Sequence, residues 1–435
     1  MESKRLLFAT VVPFWKNSTG AQQRILHLVQ ALAAGVGVHD AHTVKTFYIG
    51  QNFDDADLAT VQRLGLDVEH HQSGDPSTSN QNRIRWHLEG TIHLVRQAFR
   101  GQDKSNDASK PVVPSDYRWP WAMRAFASCV ERFEPDAIVC QYITMGYLLD
   151  ALSQEQRKQI RCVVDAHDIL HERQKQFAEF GFEHWLSIDH DEEAFELKKF
   201  DAILSIIESE TPQFQLMAPN ADVLTVGHSI EPVLKSTVRL PARSPDGILR
   251  LGYFGSGNAS NGHAIIKFIR QSWRRIRQSN DSIRLVIAGG VCDWLMFHEE
   301  NRFEDEDSMS LRVSLASDSQ VDFLGAVDSV SEFYSQVDVA INPVEFGTGL
   351  KIKTCEACAF GIPSMMTHHG AQAIPPEAEA AFVVVDSVQA MGGAIMDLVR
   401  NPASLELLKS KAETVGREVF NDQRAYGDLF RWLAK

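Results

Sequence analysis

The stretch Asn342-Pro-Val-Glu345-Phe-Gly347-Thr348-Gly349-Leu350-Lys351-Ile-Lys353-Thr-Cys-Glu356-Ala-Cys-Ala-Phe-Gly361-Ile-Pro363 decides how this chain is read. A mostly apolar run over 337–342 ends at Asn342 and reads as a buried strand. A glycine-rich turn follows, then a helical pattern that closes at Gly361, with glycine in the C-cap role. Glycines ahead of a helix let backbone N–H groups approach an anion, and the helix N-terminus adds positive potential. Lys351 and Lys353 put cations at the same end, and Glu356 lies one turn beyond Lys353, so both can face one ligand. Phosphates against lysine and backbone, with a ribose diol against glutamate, suit a nucleotide diphosphate. The plainer reading is a solvated helix start carrying a Lys–Glu pair.

Outward from this segment, short apolar runs alternate with amphipathic helical stretches. In the first half, strands are expected over 6–12, 44–49, 136–140, 161–165 and 202–207, with a helix over Gly20–Ala34. A polar stretch over 236–247 carries Pro241 and Pro245 and reads as a linker. The alternation then restarts with strands over 249–254, 283–288, 321–324, 364–367 and 381–385, and a helix over 262–278. This pattern predicts an α/β fold of two doubly wound, Rossmann-like domains, 1–235 and 248–415, whose strand ends face a shared cleft. The final helix, 416–435, is expected to pack back on the first domain. Both halves repeat one form, Asp201 or Asp338 followed by a buried strand. The polar region 101–120 breaks the alternation and reads either as a lid or as an unstructured insertion.

Composition narrows the functional classes. The chain has 435 residues, 44% hydrophobic and 23% charged, which suits a globular protein of two or three domains. Its formal net charge of −14 argues against a dedicated nucleic-acid binder, which needs clustered Lys and Arg. Six scattered cysteines fit a reducing, cytoplasmic setting. The apolar start, 6–15, holds Pro13 and meets Lys16-Asn17, so it reads as a first strand and not a signal peptide. No window reaches the ~18–20 apolar residues of a membrane span. The Arg-bearing stretches 83–100 and 274–277 fit a solvated surface or a peripheral contact with acidic lipid.

Other motifs carry less. Cys355-x-x-Cys358 lacks a second ligand pair and reads as two small residues on a packed helix. His167-x-x-x-His171 has metal-ligand spacing but no evident third ligand. Gly257-x-x-x-x-Gly262-His263 misses the P-loop because His stands in place of Lys. Asp189-x-Asp191 and Asp305-x-Asp307 sit in charged runs that read as solvated loops. No metal site is assigned.

The opening segment resembles the donor-site signature of retaining glycosyltransferases of family 4, which have the GT-B fold. The likeness runs through Gly347, Gly349, Lys353, Glu356, Ala357, Ala359, Gly361 and Pro363, and extends to Val164-Asp165-Ala166-His167-Asp168, Glu193, Gly252-Tyr-Phe-Gly255 and Gly325. It implies a metal-independent hexosyltransferase without a cofactor, working between a UDP- or GDP-linked donor and a glycan, lipid-linked or small-molecule acceptor. Polysaccharide biosynthesis is the setting it implies. His167, Lys353 and Glu345 are then the catalytic candidates. Gly255, Gly257, Gly347, Thr348, Gly349, Leu350, Lys351 and Glu356 would bind the donor, and Thr19, Gly20 and Asp168 lie on the acceptor side. Thr348 stands where many members have a first glutamate, with Glu345 three residues earlier. The stretch Gly255-Ser-Gly257-Asn-Ala-Ser-Asn261-Gly262 lacks the usual Arg–Lys pair, so diphosphate neutralisation falls on Lys353 first and Lys351 second. Two other readings use the same nucleotide site: a sugar-nucleotide epimerase or hydrolase, and a non-catalytic binder or partner subunit. Oligomeric state is not legible.

Overall fold

The computed structural model describes residues 3–37, 39–73, 112–230, 247–297, 318–327 and 329–435. The chain divides into two compact units, Met1–Lys16 with Val29–Val226 and Asp428–Lys435, and Asn17–Leu28 with Gly227–Gly427.

The first unit holds seven strands: β1 (Arg5–Thr10), β2 (Thr43–Ile49), β3 (Asp67–His71), β4 (Ala137–Gln141), β5 (Arg161–Asp165), β6 (Ala202–Ser205) and β7 (Asp222–Thr225). They form one sheet in the order β3-β2-β1-β4-β5-β6-β7, with every pairing parallel. The second unit holds β8 (Leu249–Phe254), β9 (Ile283–Ala288), β10 (Val321–Gly325), β11 (Val339–Asn342), β12 (Ser364–Thr367) and β13 (Phe382–Val385). Their order, β10-β9-β8-β11-β12-β13, repeats the first six positions of the other sheet, again all parallel. Both are doubly wound, and the winding reverses between β1 and β4 and between β8 and β11. Ligands in such sheets bind beyond the carboxyl ends of the strands at that reversal.

The predicted two-domain α/β architecture is therefore present. The central strands come out close to their expected bounds because they are mostly apolar runs buried on both faces. β3 and β7 were not expected. They are the two edges of the first sheet, and the sequence of β3, Asp-Val-Glu-His-His, is only half-buried. The helix expected over 262–278 starts earlier, at Ala259, because the Asn258 side chain caps it by accepting from the Asn261 N–H. It carries a π turn at Ile269–Trp273, where the Ser272 hydroxyl donates to the Val388 carbonyl at 2.6 Å.

The repeated aspartate before a strand has a physical cause. Asp201 accepts the Cys162 N–H at 2.7 Å, and Asp338 accepts the Arg250 N–H at 3.0 Å. Asp136 does the same for Arg5 at 2.7 Å. In each case the carboxylate satisfies an amide at the start of the neighbouring strand and pins the register of the pair.

Each unit has its own core. The first packs Phe47, Phe126, Ile138, Val164 and Ile203 around its sheet, and the second packs Val286, Phe333, Tyr334, Cys355, Cys358 and Met366. All six cysteines are buried and free, so Cys355 and Cys358 serve as core packing on their helix. Among the described residues no helix is long and apolar enough to cross a membrane. The 83–100 stretch, most of the 236–247 linker, residues 101–111 of the expected lid and the Asp305–Asp307 pair lie outside the described residues. Residues 114–117 of that expected lid form a 3-10 turn leading into the helix Pro120–Phe133.

Candidate functional site

The second unit gathers its polar groups at the reversal between β8 and β11. β11 ends at Asn342, and the turn that follows uses positive φ at Gly347 (102°) and Gly349 (72°), a region that favours glycine. The helix Ile352–Ala359 begins at once, with Lys351 as N-cap and no side-chain cap. The Lys351 ammonium instead folds over the turn, donating to the carbonyls of Gly347 (2.8 Å), Thr348 (3.0 Å) and Gly349 (3.1 Å). The His369 ring, kept neutral by burial, hydrogen-bonds the Gly347 carbonyl through Nε2 at 2.9 Å. Leu350 packs against the second core.

Lys353 takes a different course. It is partly exposed, and its Nζ donates to Asn261 Oδ1 (2.8 Å) and to the Tyr253 hydroxyl (3.2 Å), 4.3 Å from the centre of that ring. Burial against these neutral groups, with Lys351 nearby, lowers its pKa to about 7. Glu356, one turn on, is 1% exposed, and neither carboxyl oxygen has a hydrogen-bond partner. Burial raises its pKa to about 8, so it is a neutral acid at pH 7. The solvated Lys–Glu pair is thus not what forms: the two groups are enclosed and unpaired with each other. A small pocket beside Lys353 is lined by Gly252, Phe254, Tyr334, Asn342, Thr354 and Ser364.

The opposite wall is shaped by glycines after β8 and β9. A Cβ on Gly257 would sit 2.8 Å from the Gly290 carbonyl, and one on Gly289 (φ 87°) would strike the Gly255 carbonyl. Backbone here runs against backbone, which only glycine allows. Gly262, the second glycine of the near-miss P-loop, is small because the Trp294 ring covers it. Glu345 is ion-paired to Lys267 at 2.5 Å, with His263 Nε2 at 3.7 Å. That pairing ties its carboxylate to the helix Ala259–Phe268. Ser260 donates to the Phe346 carbonyl at 2.8 Å and ties that helix to the turn.

Asn17–Leu28 clusters with this second unit. Gln22 Oε1 accepts from the Ser18 N–H (2.7 Å) and the Thr19 N–H (3.1 Å), while Thr19 Oγ1 accepts the Gln22 N–H (3.3 Å). Those bonds are helix-cap chemistry. A Cβ on Gly20 would meet Ile352 Cδ1 at 3.4 Å, so the turn lies against the start of the signature helix.

In the first unit, His167 follows β5 with φ 62°, and Tyr142 follows β4 with φ 65°. Their rings stack at 4.1 Å. Two adjacent non-glycine residues in the left-handed region mark a strained, functional-site type of backbone. His167 Nε2 meets Gln141 Oε1 at 2.9 Å and lies 3.6 Å from Asp165. Asp168 accepts from Arg173 at 3.1 Å and does not cap the helix Leu170–Glu179. The buried Glu193 does, accepting the amides of Leu170 (2.9 Å) and His171 (2.8 Å). It also holds His171 Nδ1 at 2.7 Å, a hydrogen bond that raises the imidazole pKa. His167 and His171 therefore answer to different partners. Among the described residues no group of three or more His, Cys, Asp or Glu is placed to hold a metal. Asp189 caps the helix His190–Leu197, accepting the Glu192 N–H at 2.8 Å.

Residues 249–401 match the family model of Glycosyl transferases group 1. No curated protein matches the chain. Among solved structures, Anabaena HepE in complex with UDP-glucose is similar over 99% of both chains, at 12% identity and TM-score 0.64. The sucrose-phosphate synthase of Thermosynechococcus elongatus is similar over 99% of both, at 13% identity and TM-score 0.59. The lipopolysaccharide outer core galactosyltransferase WaaB, in apo form, is similar over 99% of both, at 12% and 0.55. The fold is GT-B. The matched segment carries every donor-side candidate from Gly255 to Glu356. Sequence reasoning missed Asn261, Tyr253, Tyr142 and Gln141 as site residues. None carries a local signal; each reaches the site through tertiary contact.

Proposed function

We propose that the protein is a glycosyltransferase that moves a sugar from a nucleotide diphosphate sugar to an acceptor, with retention at the anomeric carbon. The observation that carries this reading is the pair Lys353 and Glu356, enclosed without counter-charge at the sheet reversal inside the segment that matches Glycosyl transferases group 1. Burying a cation or a carboxyl without a partner is costly, and such groups belong where a ligand completes them. Lys353 meets the diphosphate and offsets charge on the leaving group, and Glu356 meets the ribose hydroxyls. The glycines at 255, 257, 347 and 349 let the ligand approach backbone amides, and His167 with Asp168 serve the transferred sugar and the acceptor.

A UDP-linked hexose is the favoured donor, because HepE, similar in fold, is a complex with UDP-glucose. Charge stabilisation by Lys353 and the helix N-terminus makes the transfer metal-independent, so a chelator should leave the rate unchanged. The test is a thermal-shift screen of UDP, GDP and their hexose conjugates, since a ligand that binds only the folded state raises the Tm. A flat screen overturns the reading. Product analysis then separates transfer to an acceptor from release of free sugar or an isomer.

A second reading, a non-catalytic nucleotide-sugar binder, is favoured by Thr348 at the glutamate position and by Lys351 spending its donors on its own turn. Donor-dependent turnover that disappears in Lys353→Ala removes it.

A further inference from the structure

The stretch after β8, Gly255–Gly262, has no cation, yet it is where the second unit's key cation is fastened. Lys353 Nζ reaches Asn261 Oδ1 at 2.8 Å, and the Asn261 amide is itself fixed. Its Nδ2 donates to the Ser256 carbonyl and hydroxyl, both at 3.1 Å, and its backbone N–H donates to Asn258 Oδ1 at 2.9 Å. The Tyr253 hydroxyl closes the ring by donating to the Asn261 carbonyl at 3.0 Å. Asn261 Oδ1 therefore faces Lys353 by necessity, since flipping the amide would set its NH2 against the ammonium.

All the groups that hold Lys353 are neutral: an amide oxygen, a phenol and a ring face. Tyr253 and Tyr334, the titratable groups on the neighbouring β8 and the helix Val330–Tyr334, are kept protonated by burial. On its own helix Lys353 faces Lys351, a like charge, and Glu356, a buried neutral acid. A cation so placed is destabilised until an anion arrives.

We propose that Asn261 is the positioning residue for Lys353, and that a diphosphate replaces its amide oxygen as the ammonium's acceptor while Lys353 takes up a proton from solvent. This rests on the nucleotide-sugar reading above. The lowered pKa of Lys353, about 7, makes the linkage visible near neutrality. Donor affinity then depends on pH with the sign of a cation that must be charged to bind. It is full below about pH 7 and falls up to about tenfold per unit above it.

The experiment is calorimetric titration of UDP-glucose from about pH 6 to about pH 9, in buffers of differing ionisation enthalpy, with wild type, Asn261→Asp, Asn261→Ala and Lys353→Arg. Wild type takes up close to one proton per UDP-glucose above pH 7, beyond whatever Glu356 contributes equally to all four proteins. Asn261→Asp places a carboxylate beside the ammonium, so the affinity midpoint moves up and uptake shrinks, with binding at low pH weakened about tenfold. Asn261→Ala removes an acceptor, so the midpoint moves down. Lys353→Arg binds without the uptake, because guanidinium stays charged. A packing role would shift both Asn261 variants alike, and that result, or unaltered uptake in Lys353→Arg, overturns the proposal while the donor site stands. If wild type binds neither UDP nor UDP-glucose at any pH, this proposal falls together with the UDP-linked donor, and the GDP arm of the screen decides the broader reading. Lys353→Arg settles the uptake even if an Asn261 variant fails to fold.

Discussion

The two units are built to one strand order, yet the residues at their strand ends are in opposite conditions. After β4 and β5, the polar groups of the His167 cluster are mostly paired with one another, the Gln141 amide nitrogen being left without a partner. Gln141 meets His167, Arg173 meets Asp168, and Glu193 meets two amides and an imidazole. Around β8 and β11 the balance is left open: both oxygens of Glu356 and Oδ1 of Asn342 lack partners, and Lys353 has only neutral ones. A satisfied cluster holds shape on its own, while an unsatisfied one gains most when a ligand enters. The same fold thus supplies one part set by internal bonds and another set by what it binds.

The comparison can be broken by mutation. The largest effect is expected for Lys353→Ala, which should lower donor-dependent turnover about 100-fold or more and abolish the Tm shift given by UDP-glucose. Activity at a normal fraction of wild type would show that the open cluster is not where the chemistry draws its charge. Next comes Glu193→Ala in the satisfied cluster, which strips two amides and His171 of a buried acceptor. A loss of about 2–3 kcal/mol in urea unfolding is expected, with donor binding by the protein that stays folded little altered.

Glu356→Gln should do the reverse of Glu193→Ala. A carboxyl held near pKa 8 stays protonated in the fold while the unfolded chain ionises from about 4.5, so wild-type stability falls as pH rises across that window. The amide has no such dependence. It should raise stability at pH 7 by on the order of 1–3 kcal/mol and weaken UDP-glucose binding. A variant less stable than wild type would mean the carboxyl has a partner after all. The smallest effect concerns His171, whose pKa is raised by its hydrogen bond to Glu193. That contribution is complete below the unfolded pKa of about 6.5 and is lost as pH rises through the folded value. The Tm gap between wild type and His171→Ala should accordingly be wider at pH 5.5 than at pH 8.5.

The architecture was legible wherever strands are largely apolar on both faces, as in β4, β5, β8 and β9, the last two interrupted only by Arg250 and Arg284 near their starts. β3 and β7 did not, since an edge strand buries little and Asp67–His71 has no apolar alternation to read. At the site, glycines and lysines stood out because a turn before a helix is a local event. Glu345 shows the limit of local spacing, since its ion-pair partner Lys267 lies far off in sequence. Asn261 is the converse case: an unremarkable polar residue in the first turn of the helix Ala259–Phe268 that gains its role only once β8 and β11 lie side by side.

The tail has a consequence for how the protein is made. Trp432 stacks under the Arg161 guanidinium at 3.5 Å and donates its indole N–H to Asp222 of β7 at 2.7 Å. Arg161 in turn donates to the Trp432 carbonyl at 2.7 Å. The piece that finishes the first unit is therefore translated only after all of 227–427. Domains ordinarily fold in the order of synthesis. Here the first unit is completed only after the second has been translated, and its β7 edge waits that long for its covering indole.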